Sequence, residues 1–113
     1  MGNIVYDSDL VEQSISDGFH VTRIGRNDLM SIQRWVCDPG GSFPEHSHPH
    51  QQIGYVYRGE MHVSIDGEQY VLGPGDTYIV EGNETHAGTN EGDEPAEGVD
   101  IFSPPLKDSD WIG

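Results

Sequence analysis

The sequence contains few basic residues and no long apolar segment. Twenty acidic residues oppose five basic ones among its 113 residues, which gives a formal net charge of −15. Nucleic acids and anionic lipids bind through basic patches, so this charge argues against both as partners. No apolar run approaches the roughly 20 residues that span a bilayer, so we expect no membrane segment. An acidic, salt-adapted protein of halophilic type is the favoured interpretation, and an ordinary acidic protein is the alternative.

The scarcity of cysteine bears on the cellular compartment. Cys37 is the only cysteine, so no intramolecular disulfide can form. Proteins of reducing compartments typically lack disulfides. The first residues also show no basic segment followed by an apolar one, as a secretory signal requires. We therefore expect a cytoplasmic protein, and the length predicts a single domain over residues 1–113.

Short segments rich in β-favouring residues alternate with turn signals along most of the chain. The clearest hairpin signal is Asp66-Gly67. Residues 7–16 fit one helical turn or an edge strand, and both alternatives stay open. Many short, evenly spaced strands predict an antiparallel sandwich or barrel. The predicted strands cover residues 19–24, 29–37, 52–58, 61–65, 68–72, 77–80, 85–89 and 97–103.

Histidines at positions 46, 48 and 50 form the densest group of potential metal ligands. Side chains two residues apart lie on one face of an extended chain, so His46 and His48 can point into one cavity. Gln52 has the same parity, and His86 follows a glycine turn and can approach from across a barrel. Four such N and O ligands suit a divalent transition ion. The alternative is a group of surface histidines near a proline turn.

The spacing of these residues resembles the two sequence motifs of the cupin family. Gly40, His46, His48, Gln52 and Gly59 have the spacing of the first motif. The second motif is matched by Gly75, Glu81, His86 and Asn90. The resemblance covers about residues 29–103 and leaves a tail over residues 104–113. It implies an all-β fold, the cupin double-stranded β-helix or jelly-roll barrel, in which His46, His48, Gln52 and His86 bind one divalent metal ion (Zn, Ni, Fe or Mn).

A closer resemblance is to small cupins of the pectin-degradation type, which open the ring of unsaturated uronates. It is carried by His-Ser-His-Pro-His at residues 46–50, by residues 52–56 and 75–78, and by residues 100–105. In those cupins a glutamine is a metal ligand, which corresponds to Gln52. The resemblance also implies that Asp100 transfers a proton and that Phe102 is the accompanying aromatic residue. An arginine expected soon after the Pro-Pro pair is absent here, and Leu106 and Lys107 follow instead.

Strand parity supports a role for Asp100, because Asp100 and Phe102 share one face of their strand. A carboxylate in a cavity near a cation can act as general acid or base. The alternative is an aspartate that faces solvent. Tyr78 is expected in the core or the cavity wall, where it could contact substrate. Arg34 could point inward as an anchor for a substrate carboxylate, or outward beside Trp35.

The sequence leaves three functions open. The favoured one is a metal-dependent, non-oxidative enzyme that opens or isomerises a small sugar acid. The alternatives are a metal-dependent dioxygenase and a non-catalytic module that binds a metal or small ligand. Edge strands in a small barrel favour pairing, so we expect a homodimer. The terminal Trp111-Ile112 pair is predicted to dock on its own barrel or on a partner subunit.

Overall fold

The computed structural model describes residues 2–107, which form ten strands and one short 3-10 turn. No helix within this range is long and apolar enough to cross a membrane. The all-β prediction is confirmed. In chain order the elements are the turn Asp7–Asp9, β1 Glu12–Ser16, β2 Phe19–Arg26, β3 Ser31–Cys37, β4 Ser42–His46, β5 Gln51–Arg58, β6 Met61–Ile65, β7 Glu68–Leu72, β8 Thr77–Val80, β9 His86–Thr89 and β10 Ala96–Ser103.

The strands form two antiparallel sheets. The larger has the order β1-β2-β3-β10-β5-β8, and the smaller has the order β4-β9-β6-β7. The last strand, β10, therefore lies between β3 and β5. The chain returns to the larger sheet through a long connection, as in a jelly roll. As a result β10, late in the chain, lies beside the early strands at the centre of the larger sheet.

The predicted strands agree closely with those observed, but one strand was not predicted. The strands at residues 61–65, 68–72 and 77–80 have the predicted bounds. At Asp66-Gly67 both residues have positive φ, 51° and 87°, as the predicted two-residue hairpin turn requires. Both alternatives for residues 7–16 occur, because a helical turn precedes the edge strand β1. The prediction missed β4, which contains Pro44.

The core lies between the two sheets. The larger sheet contributes Val21, Trp35 and Val56, and the smaller contributes Met61 and Val63, all buried. The single cysteine is also part of this core, and burial raises the pKa of its thiol to about 11. Trp111 and Ile112, predicted to dock on a barrel, lie outside the described residues.

Candidate functional site

Three histidine side chains converge on the cavity inside the barrel. One potential ligand atom from each of His46, His48 and His86 lies within 4.8 Å of the others. His46 ends β4 and is the register partner of His86, the first residue of β9. His48 lies in the loop before β5, two residues past the end of β4. Both rings reach one site, as expected, although β4 ends at His46 and His48 lies outside a strand.

Backbone carbonyls fix the ring proton of two of these histidines. Nδ1 of His46 lies 2.9 Å from the carbonyl oxygen of Pro44, and Nδ1 of His86 lies 3.1 Å from that of Glu84. A carbonyl can only accept, so Nδ1 carries the proton in both rings and donates it. This leaves the Nε2 lone pair of each ring available to a metal ion, which is the arrangement usual for histidine ligands.

The same histidines are held in the neutral form. Burial and, to a smaller extent, the neighbouring His46 ring lower the pKa of His86 to about 4. Burial is also the main cause that lowers the pKa of His46 and that of His48. Metal ions bind the neutral imidazole, so no proton has to be removed from these rings near pH 7.

Gln52 adds an oxygen to this group. It is the second residue of β5, and its side chain is buried as strand parity predicted. Its Oε1 lies 3.1 Å from Nε2 of His48, close enough to accept a hydrogen bond from that ring. Three imidazoles and one amide oxygen therefore converge from three segments of the chain. This donor set fits a divalent transition metal ion.

His50 is buried and lies outside the cluster of three histidines. Only 4% of its surface is exposed. Its ring lies 5.3 Å from that of His48 and 6.3 Å from that of Phe102, measured between centroids. The side chain therefore packs against His48 and supports it.

Asp100 faces the same cavity as the histidines and is only 5% exposed. This excludes the alternative of a solvent-facing aspartate. Burial raises the pKa of its carboxyl to about 6, against the opposite effect of three side-chain hydrogen bonds. The donors are Tyr78, Gln52 and Gln33. A carboxyl with this pKa can both accept and donate a proton near neutral pH.

Tyr78 reaches Asp100 because the strand between them has no side chain at the crossing point. Asp100 of β10, Gly54 of β5 and Tyr78 of β8 are register partners in sequence. A Cβ atom on Gly54 would overlap the Tyr78 ring, so only glycine permits this position of the ring. The Tyr78 hydroxyl donates a hydrogen bond to Asp100. Burial and this carboxylate together hold the pKa of Tyr78 well above its usual value.

Gln33 belongs to the site and was not predicted. It is the register partner of Asp100 on β3, and its side chain is buried. The sequence did carry a signal, because Gln33 alternates with Trp35 and Cys37, which are both buried. The sequence-based prediction for this strand considered the other face, on which Arg34 lies.

The remaining cavity wall is mostly apolar. Phe102 is buried, and its ring meets that of His48 edge-on at 5.7 Å. Leu106 also lines the cavity, whereas Lys107 is exposed. Arg34 does not line it, because Arg34 lies on the outer face of β3 and its Nη2 is 3.3 Å from Asp7. The inward position considered for Arg34 is therefore wrong, and the outward alternative is correct.

Comparison with known proteins identifies the class of protein that this barrel and its histidine cluster define. Residues 33–102 match the cupin domain family Cupin_2. The chain belongs to the cupin family, as the two motifs predicted. It is a small metal-binding cupin with three histidines in its barrel.

Among curated relatives, the chain is 41% identical to the pectin degradation protein KdgF of Dickeya dadantii over 82 residues, 73% of this chain and 74% of that protein. It is also similar to an H2HPP isomerase of Bacillus subtilis, at 32% identity over 58% of this chain and 28% of that protein. Among solved structures, an RmlC-like cupin of Shewanella frigidimarina superposes with a TM-score of 0.85 at 26% identity, over 96% of each chain. KdgF of a Halomonas species superposes with a TM-score of 0.86 at 24% identity, over 96% of this chain and 98% of that one.

Proposed function

We propose that this protein is a metal-dependent enzyme that opens the ring of a 4,5-unsaturated galacturonate or guluronate and yields a linear keto-sugar acid. The observation that carries the proposal is the buried Asp100 carboxyl, which shares one cavity with His46, His48 and His86. The similarity to a pectin degradation protein supports the substrate class. The similarity to an isomerase supports a reaction without net oxidation.

The proposed metal ligands are His46, His48, Gln52 and His86, and the ion is one of Zn, Ni, Fe or Mn. The two rings whose Nδ1 donates to a carbonyl would bind through Nε2. When bound, such an ion supplies a Lewis acid that polarises a substrate oxygen. Because Gln52 is neutral, the site carries one negative charge fewer than it would with glutamate. The lower negative charge should make the bound ion a stronger Lewis acid and its binding weaker.

Asp100 is the proposed proton carrier. In the ring opening, the hydroxyl proton at C1 leaves and the bond between C1 and the ring oxygen breaks. An aldehyde and an enolate result, and the enolate becomes a ketone when C4 gains a proton. The reaction is an isomerisation, so one carboxyl that accepts the first proton can return it. The pKa of Asp100, raised to about 6 by burial, suits both steps.

The neighbours of Asp100 have supporting roles in this proposal. Tyr78 donates a hydrogen bond to the carboxylate and holds it in place within the cavity. Phe102 offers an aromatic face to a sugar ring and excludes water on that side. Tyr78 and Phe102 are the proposed substrate-binding residues of the wall. We do not assign that role to Arg34, because it faces away from the cavity.

The proposed assembly is a homodimer of single-domain chains. Four isoleucines on the outer face of the larger sheet, one each on β3, β10, β5 and β8, are register partners in a continuous row. Three are well exposed, at 41% to 60%. The row contains no charged residue, so a second copy can pack on it without placing acidic side chains against each other. The row consists of Ile32, Ile101, Ile53 and Ile79.

The high negative charge and the single cysteine support a cytoplasmic protein of a salt-adapted source.

A direct assay tests the proposed activity. Unsaturated monouronate absorbs ultraviolet light through its double bond, and ring opening followed by ketone formation removes that absorbance. Protein loaded with each candidate metal should accelerate the loss over buffer, and chelator-treated protein should not. The proposal is wrong if no metal gives acceleration while bound metal is verified by elemental analysis. Oxygen uptake in the same samples would instead support the dioxygenase alternative.

A further inference from the structure

A row of paired residues crosses the larger sheet and ends in an arginine. Tyr78, Gly54 and Asp100 are partners on successive strands, and Asp100 pairs with Gln33 on the next. Gln33 pairs in turn with Arg23 of β2. Paired residues of antiparallel strands project to the same face of a sheet. Arg23 therefore lies on the barrel side of the sheet, like Asp100.

The backbone of β2 is irregular immediately after Arg23. The register with β3 shifts between Arg23 and Gly25, as in a β-bulge. Bulges bend a strand and are common where a side chain is redirected beside a functional site. A cleft opens here, lined by Arg23, Arg26 and Ser31 and also by two residues of the metal cavity wall. These two shared residues, Gln33 and Leu106, place the cleft next to the cavity.

Two of the chain's four arginines line this cleft. They are Arg23 and Arg26. Nη2 of Arg23 also donates to the backbone carbonyl of Lys107 at 3.4 Å. The other two arginines lie on the outer face of the larger sheet, where Arg34 faces Asp7 and Arg58 faces Glu97. Two guanidinium groups therefore line this cleft beside the cavity, in a chain of net charge −15.

We propose that Arg23 binds the carboxylate of the sugar acid and sets the selectivity for anionic sugars, and this rests on the proposed function for the substrate class. Arg23 and Asp100 lie two strands apart, about 10 Å between backbones, because neighbouring strands are spaced about 4.8 Å apart. A long arginine side chain and one sugar ring can bridge that distance. The guanidinium holds a carboxylate through two parallel hydrogen bonds, a geometry that Leu106 cannot supply.

The test measures binding of a saturated sugar acid, which needs no turnover. Galacturonate and its uncharged methyl ester are titrated by NMR into metal-loaded wild type and into Arg23→Met, Arg23→Lys and Arg58→Met. We expect Arg23→Met to weaken galacturonate binding about tenfold or more, since a charge-assisted pair is lost. Binding of the ester should not change. Arg23→Lys should be intermediate, and Arg58→Met, which removes the same charge on the outer face, should match wild type.

Several outcomes would overturn the assignment of Arg23. These are equal galacturonate affinity in Arg23→Met and wild type, equal weakening of acid and ester, or no binding of galacturonate by wild type. Thermal unfolding of each variant verifies that it is folded, and Arg23→Lys remains a test if Arg23→Met is not. If galacturonate binds through Arg23 but unsaturated uronate is not opened, the proposed reaction is wrong while the anion site stands.

Discussion

Gly54 and Tyr78 are partners on neighbouring strands, and the Tyr78 ring lies across Gly54 because glycine has no side chain there. In this position the Tyr78 hydroxyl donates a hydrogen bond to Asp100. A single glycine thus determines whether Asp100, the proposed proton carrier, keeps its hydrogen bond from Tyr78. Gly54 has no functional group in its side chain, but it affects the buried carboxyl of Asp100 in this way.

Replacing this glycine should disturb both stability and activity. In Gly54→Ala the added methyl group overlaps the Tyr78 ring, so the ring or the strand must move. We expect a loss of about 1–3 kcal/mol in the free energy of unfolding, as is usual for overpacking. Ring-opening activity should fall with it. Gly73→Ala is the matched control, because nothing lies within 4 Å of its added Cβ. Equal denaturation midpoints for both variants would refute the steric argument.

Gln52→Glu should bind metal more tightly than wild type. The substitution adds a negative charge beside three neutral imidazoles, and we expect about a tenfold or greater gain in affinity for a divalent ion. Gln51→Glu adds the same charge at the exposed neighbouring position and should leave the affinity near that of wild type. Competition with a chromophoric chelator measures both. An equal effect of the two variants would mean that Gln52 is not a ligand.

Acid should destabilise the metal-free protein through His86. Its pKa is lowered to about 4 in the fold, against the usual 6.5 of a histidine side chain, so the unfolded chain binds the proton more strongly. Stability is therefore lost as pH falls from about 6.5 to about 4, by roughly 2–3 kcal/mol from this residue.

The comparison of His86→Gln with wild type isolates this contribution. Urea unfolding at pH 7 and pH 4 with chelator should show a smaller loss of stability in the variant. Asp100 has the opposite pH dependence, because its raised pKa favours the folded state as pH falls, but it titrates in both proteins. His62→Gln, at the partly exposed His62, serves as control. Equal acid sensitivity of His86→Gln and wild type would contradict the expectation.

The isoleucine row should determine the oligomeric state. Ile53 lies within the row on β5 and is 50% exposed. In Ile53→Glu, two opposed charges would be buried at a symmetric interface, so we expect the variant to sediment as a monomer. Val71→Glu tests the other sheet at a residue of similar exposure, 56%, and should remain dimeric. A monomeric wild type would contradict the proposed homodimer, and a dimeric Ile53→Glu would place its interface elsewhere.

Much of this site followed from local patterns in the sequence. The resemblance to the cupin motifs predicted that His46, His48 and His86 meet, and parity with Phe102 favoured a position of Asp100 inside the barrel. The strand β4 was missed because it is short and contains Pro44, which suppresses the usual strand pattern.

Other features depend on pairing between distant strands, which a single sequence does not reveal. Gln33 joins the site only because β10 lies beside β3, and the same register places Arg23 at the end of the row. The direction of Arg34 depends on which parity of β3 faces the core. Here the alternation of Trp35 and Cys37 decides it, and both are buried.

In the proposed reaction Asp100 moves the proton, and it is not one of the proposed metal ligands of the cavity. The most direct measurement compares wild type, Asp100→Asn and Glu97→Gln in the ring opening of unsaturated galacturonate, with bound metal quantified in each. Glu97 lies on the same strand and pairs with Arg58 outside the cavity. We predict a loss of about 10²- to 10⁴-fold in Asp100→Asn at unchanged metal content, and little change in Glu97→Gln. Wild-type rates in metal-loaded Asp100→Asn would contradict the account.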